Sequence, residues 1–282
     1  KKSPFFCDAR DELCLYFPDY ARTIYFSLHQ IIMSEPKPVL QVKGLSVSYD
    51  NKRAVVNLYA DFKAGCIHGI IGPNGAGKST LIKSVLALSP YEHGEISLWG
   101  KSIEAVRDRI AYVPQREEMD SSFPANILDL ALLGRFPHKK IFQRMNSRDR
   151  EIAMEALDRV GLSDLKDRQI GQLSGGQFQR GLIARALAQE ADLFLLDEPF
   201  VGVDAVTESK IIEILREEAH RGKTILIVHH DLSTAESYFD ELVLLNQHLI
   251  AAGPVSEVFT EQNLARCYGA QLPILHKSAR QS

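Results

Sequence analysis

The chain has 282 residues, 45% of them hydrophobic, enough to bury a core of enzyme size. Its 33 Lys and Arg stand against 36 Asp and Glu, a formal net charge of -3, which excludes the basic footprint of a general nucleic-acid binder, so no nucleic acid is expected as a partner. Charges or glycines interrupt every apolar run before it reaches membrane-spanning length, so any work at a membrane requires another chain to cross it.

Cys7, Cys14, Cys66 and Cys267 lie far apart without a CxxC pair. This argues against a zinc site or a disulfide framework and fits reduced thiols in a cytosol. Residues 1–34 read as an N-terminal extension. Lys1 and Lys2 could open a secretory leader, but Asp8, Arg10, Asp11 and Glu12 fall where its apolar segment would have to be. Met33 is the expected start, with residues 1–32 an upstream translation or a loose arm, and intact residues before Met33 in the natural protein would overturn that.

Organised sequence begins at Val39-Leu40-Gln41-Val42, which alternates like a strand. Ile67-His68-Gly69-Ile70-Ile71 reads as a buried parallel strand, and Leu81 to Leu88 as the opening of a helix. Between them lies Gly72-Pro73-Asn74-Gly75-Ala76-Gly77-Lys78-Ser79-Thr80, which fits the phosphate-loop pattern GxxxxGK[ST] in the strand–loop–helix order that pattern needs. Gly72, Gly75 and Gly77 let successive backbone N–H groups face an anion, Lys78 would reach the β- and γ-phosphates, and the Ser79 hydroxyl would ligate Mg²⁺.

Ile110-Ala111-Tyr112-Val113 resembles another strand. Phe123-Pro124 and Leu133-Gly134-Arg135-Phe136-Pro137-His138 offer aromatic and basic groups suited to docking another protein if they are exposed, with ordinary packing as the alternative. Ser147 is expected to cap a helix running through Ile152, Ala156, Leu157 and Val160 and ending at Gly161. Leu173-Ser174-Gly175-Gly176-Gln177 precedes a helical run from Phe178 to Ala188, and by itself suits a glycine-rich helix start.

Leu193 to Leu196 forms an apolar strand ending in Asp197-Glu198-Pro199. Ligands of doubly wound sheets bind at strand carboxyl ends, so these acids would face the phosphate loop, Asp197 holding Mg²⁺ and Glu198 polarising a water as general base. Thr224 to Val228 ends similarly in His229-His230-Asp231. Adjacent strand residues point to opposite faces, so one histidine is expected at the nucleotide and the other buried.

The GKS loop, LSGGQ, Asp197-Glu198 and His230 stand in the order and spacing of the ABC ATPase family, a resemblance covering about residues 39–270. It implies an α/β P-loop NTPase ABC ATPase fold: an ATPase domain at 35–270 with a helical subdomain at about 116–176 and an antiparallel β subdomain, followed by a tail at 271–282. It further implies that Tyr49 stacks on adenine, that Gln115 is the Q-loop residue sensing Mg²⁺ and a permease, that Asp204 is the D-loop acid, and that His230 meets the γ-phosphate. Ser174, Gly175, Gly176 and Gln177 would grip the ATP bound to another copy, giving a head-to-tail homodimer that hydrolyses Mg-ATP. Asp197 to Asp204, His229-His230-Asp231-Leu232, the Leu133 to Phe142 stretch and Ile250 to Pro254 leading to Asn263-Leu264 resemble the manganese, zinc and iron uptake branch. That branch implies an integral membrane permease, an extracytoplasmic metal-binding protein and a place on the cytoplasmic face of the membrane. The neighbouring branch for iron chelates, haem or cobalamin is the nearest alternative. An ABC ATPase serving ribosomes or DNA repair is further off, since only one GKS loop and one LSGGQ are present.

Overall fold

A computed structural model describes residues 38–50, 52–115, 124–140 and 143–269. The expectations for the N-terminal extension and Met33, Cys7, Cys14, Phe123, Phe142 and the 271–282 tail lie outside the described residues.

Two sheets carry the fold. The first is antiparallel, with β1 (Leu40–Tyr49) between β2 (Lys52–Phe62) and β4 (His93–Leu98). In β1 the buried positions change parity, from Leu40 and Val42 to Leu45 and Val47. The switch is a bulge: Val42 pairs with Ala60 but Leu45 with Leu58, three steps on β1 against two on β2, with Gly44 at φ 62 absorbing the extra residue. One face of the strand is thereby kept apolar along its whole length.

The second sheet runs in the order β5 (Ile110–Val113), β6 (Leu193–Asp197), β7 (Thr224–His229), β3 (Ile67–Ile71), β8 (Glu241–Asn246) and β9 (His248–Pro254). Its pairings are parallel except at the β8–β9 edge. The central strands are apolar on both sides, and the period of two sorts them into two cores. Ile70, Leu195, Leu226, Val243 and Leu245 pack toward the antiparallel sheet and helix α1 (Lys78–Val85). Ile71, Leu196, Ile227 and Leu244 pack in the other core. That core also takes α2 (Ile127–Leu132), α3 (Ser147–Arg159), α4 (Gly175–Ala188) and α5 (Ala205–His220), the short α6 (Ala235–Tyr238) and α7 (Val255–Val258), and α8 (Glu261–Tyr268). None of these is long and apolar enough to cross a membrane.

Three local expectations need correction. Helix α1 starts at Lys78, directly after Gly77, and ends at Val85, three residues short of the apolar run to Leu88, because Ala87 adopts φ 53 and the Ala87 and Leu88 N–H groups turn back to the Ser84 and Lys83 carbonyls. The cap of α3 is Asn146 rather than Ser147. Asn146 Oδ1 accepts from the Asp149 N–H at 2.9 Å, and the Asp149 carboxylate accepts from the Asn146 N–H at 2.9 Å, so Ser147 is the first helical residue. Arg135 is buried, not a docking group: it donates to the Ala188 carbonyl at 2.6 Å, to Glu190 at 2.7 Å and to Asp149 at 3.4 Å. Leu133 and Phe136 on the same 3-10 turn do remain exposed.

Candidate functional site

The carboxyl ends of β3, β5, β6 and β7 converge on one edge of the large sheet. From β3 the chain enters the loop at 72–77 and then α1. A side chain at Gly72 would collide with the Leu245 carbonyl. At Gly77, φ 93 lies outside ordinary side-chain-bearing geometry, and a Cβ would meet Val55 at 2.7 Å and the Ala54 carbonyl closer still. The antiparallel sheet therefore presses directly on the loop. Gln247, between β8 and β9, ties the two together: its N–H donates to Ala76 at 2.9 Å and its carbonyl accepts from Val56 at 2.8 Å.

Residues 74–80, with Gln115 and Glu198, line a cleft of about 260 Å³. Lys78 is nearly buried, and its ammonium donates to the Gly72 and Pro73 carbonyls at 2.8 and 3.0 Å. Burial lowers its pKa, against the pull of Glu198 and Asp197. The ammonium is thus held at the floor of a cradle by weak neutral acceptors, ready to exchange them for an anion.

Ser79 Oγ donates to Asp197 Oδ1 at 3.0 Å. The Gln115 amide reaches both, at 3.3 and 3.4 Å. A hydroxyl, a carboxylate and an amide meeting within hydrogen-bond distance form a hard oxygen donor set once the amide turns its oxygen inward. Such a set suits Mg²⁺ better than a softer metal. Asp197 is wholly buried at the end of β6. Glu198 leaves the strand at φ 50, a left-handed conformation that costs a side-chain-bearing residue about 1 kcal/mol. Its N–H stays on the Val228 carbonyl at 3.2 Å while its side chain lines the cleft, so the two neighbouring acids serve different places.

A second group of predicted residues stands apart from this cleft. Ser174 caps α4 in a capping box: its Oγ accepts from the Gln177 N–H at 3.2 Å, and Gln177 Oε1 accepts from the Ser174 N–H at 2.9 Å. The first turn of α4 abuts the segment after β6, where a Cβ on Gly176 would lie 3.5 Å from the Gly202 carbonyl. Two residues on, Asp204 caps α5 and accepts from Thr207 Oγ1 at 2.7 Å and Thr207 N–H at 3.0 Å, which holds its carboxyl below the usual range. Gly175 and Gln177 share that turn. Within one chain, none of 174–177 or Asp204 lines the phosphate-loop cleft.

Tyr49, at the end of β1, is 44% exposed, with its hydroxyl 2.6 Å from Ser89 Oγ, so its ring is open to solvent. His229 is buried and bonded to Thr234 Oγ1 at 2.8 Å, whereas His230 is exposed. No group of three or more His, Cys, Asp or Glu poised to hold a metal occurs among the described residues. The sequence reading missed Ala54, Val55 and Gln247 as backing for the loop. It also missed Gln179 on α4, which is 1% exposed with neither amide atom hydrogen-bonded.

The sequence profile of the ABC transporter family matches residues 55–201. The chain is 48% identical over 240 residues to a manganese transport system ATP-binding protein of Halalkalibacterium halodurans, covering 85% of this chain and 96% of that one. It is 45% identical over 233 residues to a zinc transport system ATP-binding protein of Treponema pallidum, covering 83% and 88%. A bacterial ABC transporter cassette solved as a dimer superposes with a TM-score of 0.68 at 26% identity, over 77% of this chain and 98% of the other.

Proposed function

The chain belongs to the ABC transporter family, and from that premise we propose that it is the ATP-hydrolysing subunit of a divalent-metal importer, acting as a head-to-tail homodimer on the cytoplasmic side of a separate permease. The carrying observation is the division of the site. The GKS loop, Asp197, Glu198 and Gln115 share one cleft, while Ser174 and its helix start lie outside it against Gly202. A second copy supplies what each cleft lacks.

In that arrangement the loop N–H groups and Lys78 hold the β- and γ-phosphates, and Tyr49 stacks on the adenine. Ser79, Asp197 and Gln115 would hold Mg²⁺, which when bound neutralises developing phosphate charge. Glu198 takes the proton of the attacking water, and His230 donates toward the γ-phosphate. The partner copy's α4 start adds its backbone N–H groups and the Ser174 hydroxyl to the same phosphate, with Asp204 beside the junction. Loss of the γ-phosphate removes the bridge, and the dimer opens.

The permease is assigned to a groove of about 390 Å³ where the 3-10 turn at 133–138, taken here as part of a helical subdomain at about 116–176, meets the segments flanking α1 and β5. Leu86, Tyr112 and Pro137 line it together with the exposed Leu88 and Leu133. Manganese and zinc as cargo follow from the relatives' names. The metal would reach the permease from an extracytoplasmic binding protein.

The test is transport by the reconstituted complex across manganese, zinc, iron and chelates, with ATP turnover followed in parallel. Lys78→Ala is expected to abolish turnover. Glu198→Gln should retain ATP while hydrolysis falls by about a hundredfold or more. Undiminished steady-state hydrolysis in Glu198→Gln would count against Glu198 as base. Transport of a chelate but no free divalent ion would move the cargo to the other branch.

A further inference from the structure

The two helix starts that stand apart from the cleft, α4 behind Ser174 and α5 behind Asp204, approach each other where Gly176 nears the Gly202 carbonyl. One contact between two rigid rods fixes a point but leaves their angle free. The end of α3 supplies the missing ties. There Gly161 adopts φ 66, the Leu162 N–H donates to the Leu157 carbonyl at 2.8 Å and the Gly161 N–H to the Asp158 carbonyl at 2.9 Å, a glycine-terminated helix end. The Val160 and Gly161 carbonyls lie beyond that pattern, at the negative end of the helix. Arg180, on the second turn of α4, donates to them at 3.0 and 3.4 Å.

Arg159, the last residue of α3, reaches the other way. Its guanidinium donates to Glu218 at 2.6 Å and to Glu217 at 3.0 Å, both on the last turn of α5. Glu218 is only 7% exposed and also accepts from Arg221 at 2.8 Å, so this arm is shielded from the screening that weakens pairs at the surface. The Glu217 side chain is 59% exposed and forms the weaker arm. Three ties therefore close a triangle: α4 to the segment before α5, α4 to the end of α3, and the end of α3 to the end of α5. A triangle of rods cannot change its angles without breaking a side.

We propose that Arg159 is a positioning residue for the half-site that this chain offers to a second copy: with Arg180 holding the end of α3 to α4, the Arg159 bridge to Glu217 and Glu218 sets the angle at which Ser174 and Asp204 are presented together. The inference rests on the head-to-tail reading above. Arg159 is not among the residues lining the Lys78 cleft, so its loss should spare the half-site that each chain keeps for itself.

The test uses the full chain in its Glu198→Gln form and reads two quantities: Mg-ATP binding by dilute single chains, and the dimer dissociation constant in saturating Mg-ATP by analytical ultracentrifugation. Arg159→Gln is expected to weaken the dimer about three- to tenfold, the scale of one partly buried charged contact, with Mg-ATP binding held within about twofold. Arg159→Lys should restore part of the loss, and Glu217→Gln should cost about twofold. Combining Arg159→Gln with Glu218→Gln should weaken the dimer by less than the product of the two single effects. An arginine that serves stability alone would lower the melting temperature and leave the dimer constant of the folded chain unmoved, and that result overturns the proposal. Should Arg159→Gln not fold, Arg159→Lys and Glu217→Gln carry the same reading, and dimerisation unchanged in both overturns it. Absence of any Mg-ATP-dependent dimer with Arg159 intact removes the head-to-tail reading itself, and this inference with it.

Discussion

His229 is 3% exposed, with the rings of Phe200, Tyr238 and Phe239 at 5.7, 6.1 and 5.6 Å from its own. Burial, with some help from His230, lowers its pKa from 6.5 to about 4. Between those values the unfolded chain binds a proton that the folded chain refuses. Stability is therefore fully present above about pH 6.5 and declines as the pH falls toward 4, by up to about 3 kcal/mol from this group. His229→Asn keeps a polar side chain toward Thr234 without the titration. Urea unfolding at about pH 7 and pH 4.5 should show a smaller loss in that variant than in the wild type. An equal loss would mean that the ring takes up its proton inside the fold. Glu198 shows a different kind of residue-scale cost, since its left-handed backbone is the local strain that separates it from Asp197.

Helix α4 carries both the start that would meet a neighbour's phosphate and a defect in its own packing. Gln179 lies one turn beyond Gly176, buried, with neither end of its amide satisfied. Such an amide costs on the order of 1–3 kcal/mol. Gln179→Leu, close in volume and free of that demand, should raise the melting temperature of the nucleotide-free protein by about 2–4 °C for each kcal/mol relieved. Differential scanning calorimetry reads this directly, and a lower melting temperature would mean that the amide has a bound water or another partner.

The same helix shows what the sequence could reveal. Its start was legible only as a glycine-rich segment with a Ser common at such starts, the helical run being expected from Phe178 where the helix begins at Gly175, and the GKS loop was legible because its function fixes its spacing. The strands β3, β6 and β7 were legible as apolar runs that only a doubly covered sheet can bury. The end of α1 was not, because Leu86 and Leu88 continue an apolar run that the backbone abandons at Ala87. Arg135 looked like a surface cation because its partners, Asp149, Ala188 and Glu190, are 14 to 55 residues away. Gln247 matters through contacts that no local pattern encodes.

At the scale of the whole molecule, the separation of Ser174 from the Lys78 cleft makes a prediction that a site built within one chain does not share. Consider Lys78→Ala subunits and Ser174→Arg subunits, each inactive as a homodimer because both of its sites lack one half. In a head-to-tail heterodimer the two lesions fall on the same site, since the altered lysine loop faces the altered helix start. The other site then pairs an intact Lys78 with an intact Ser174. Random mixing makes half of the dimers mixed, with one of two sites whole, so about one quarter of wild-type turnover should return. The measurement is ATP hydrolysis by complexes reassembled from the two variants after dissociation, against each variant alone. No recovery, with dimers verified by light scattering, would place both halves of the site in a single chain.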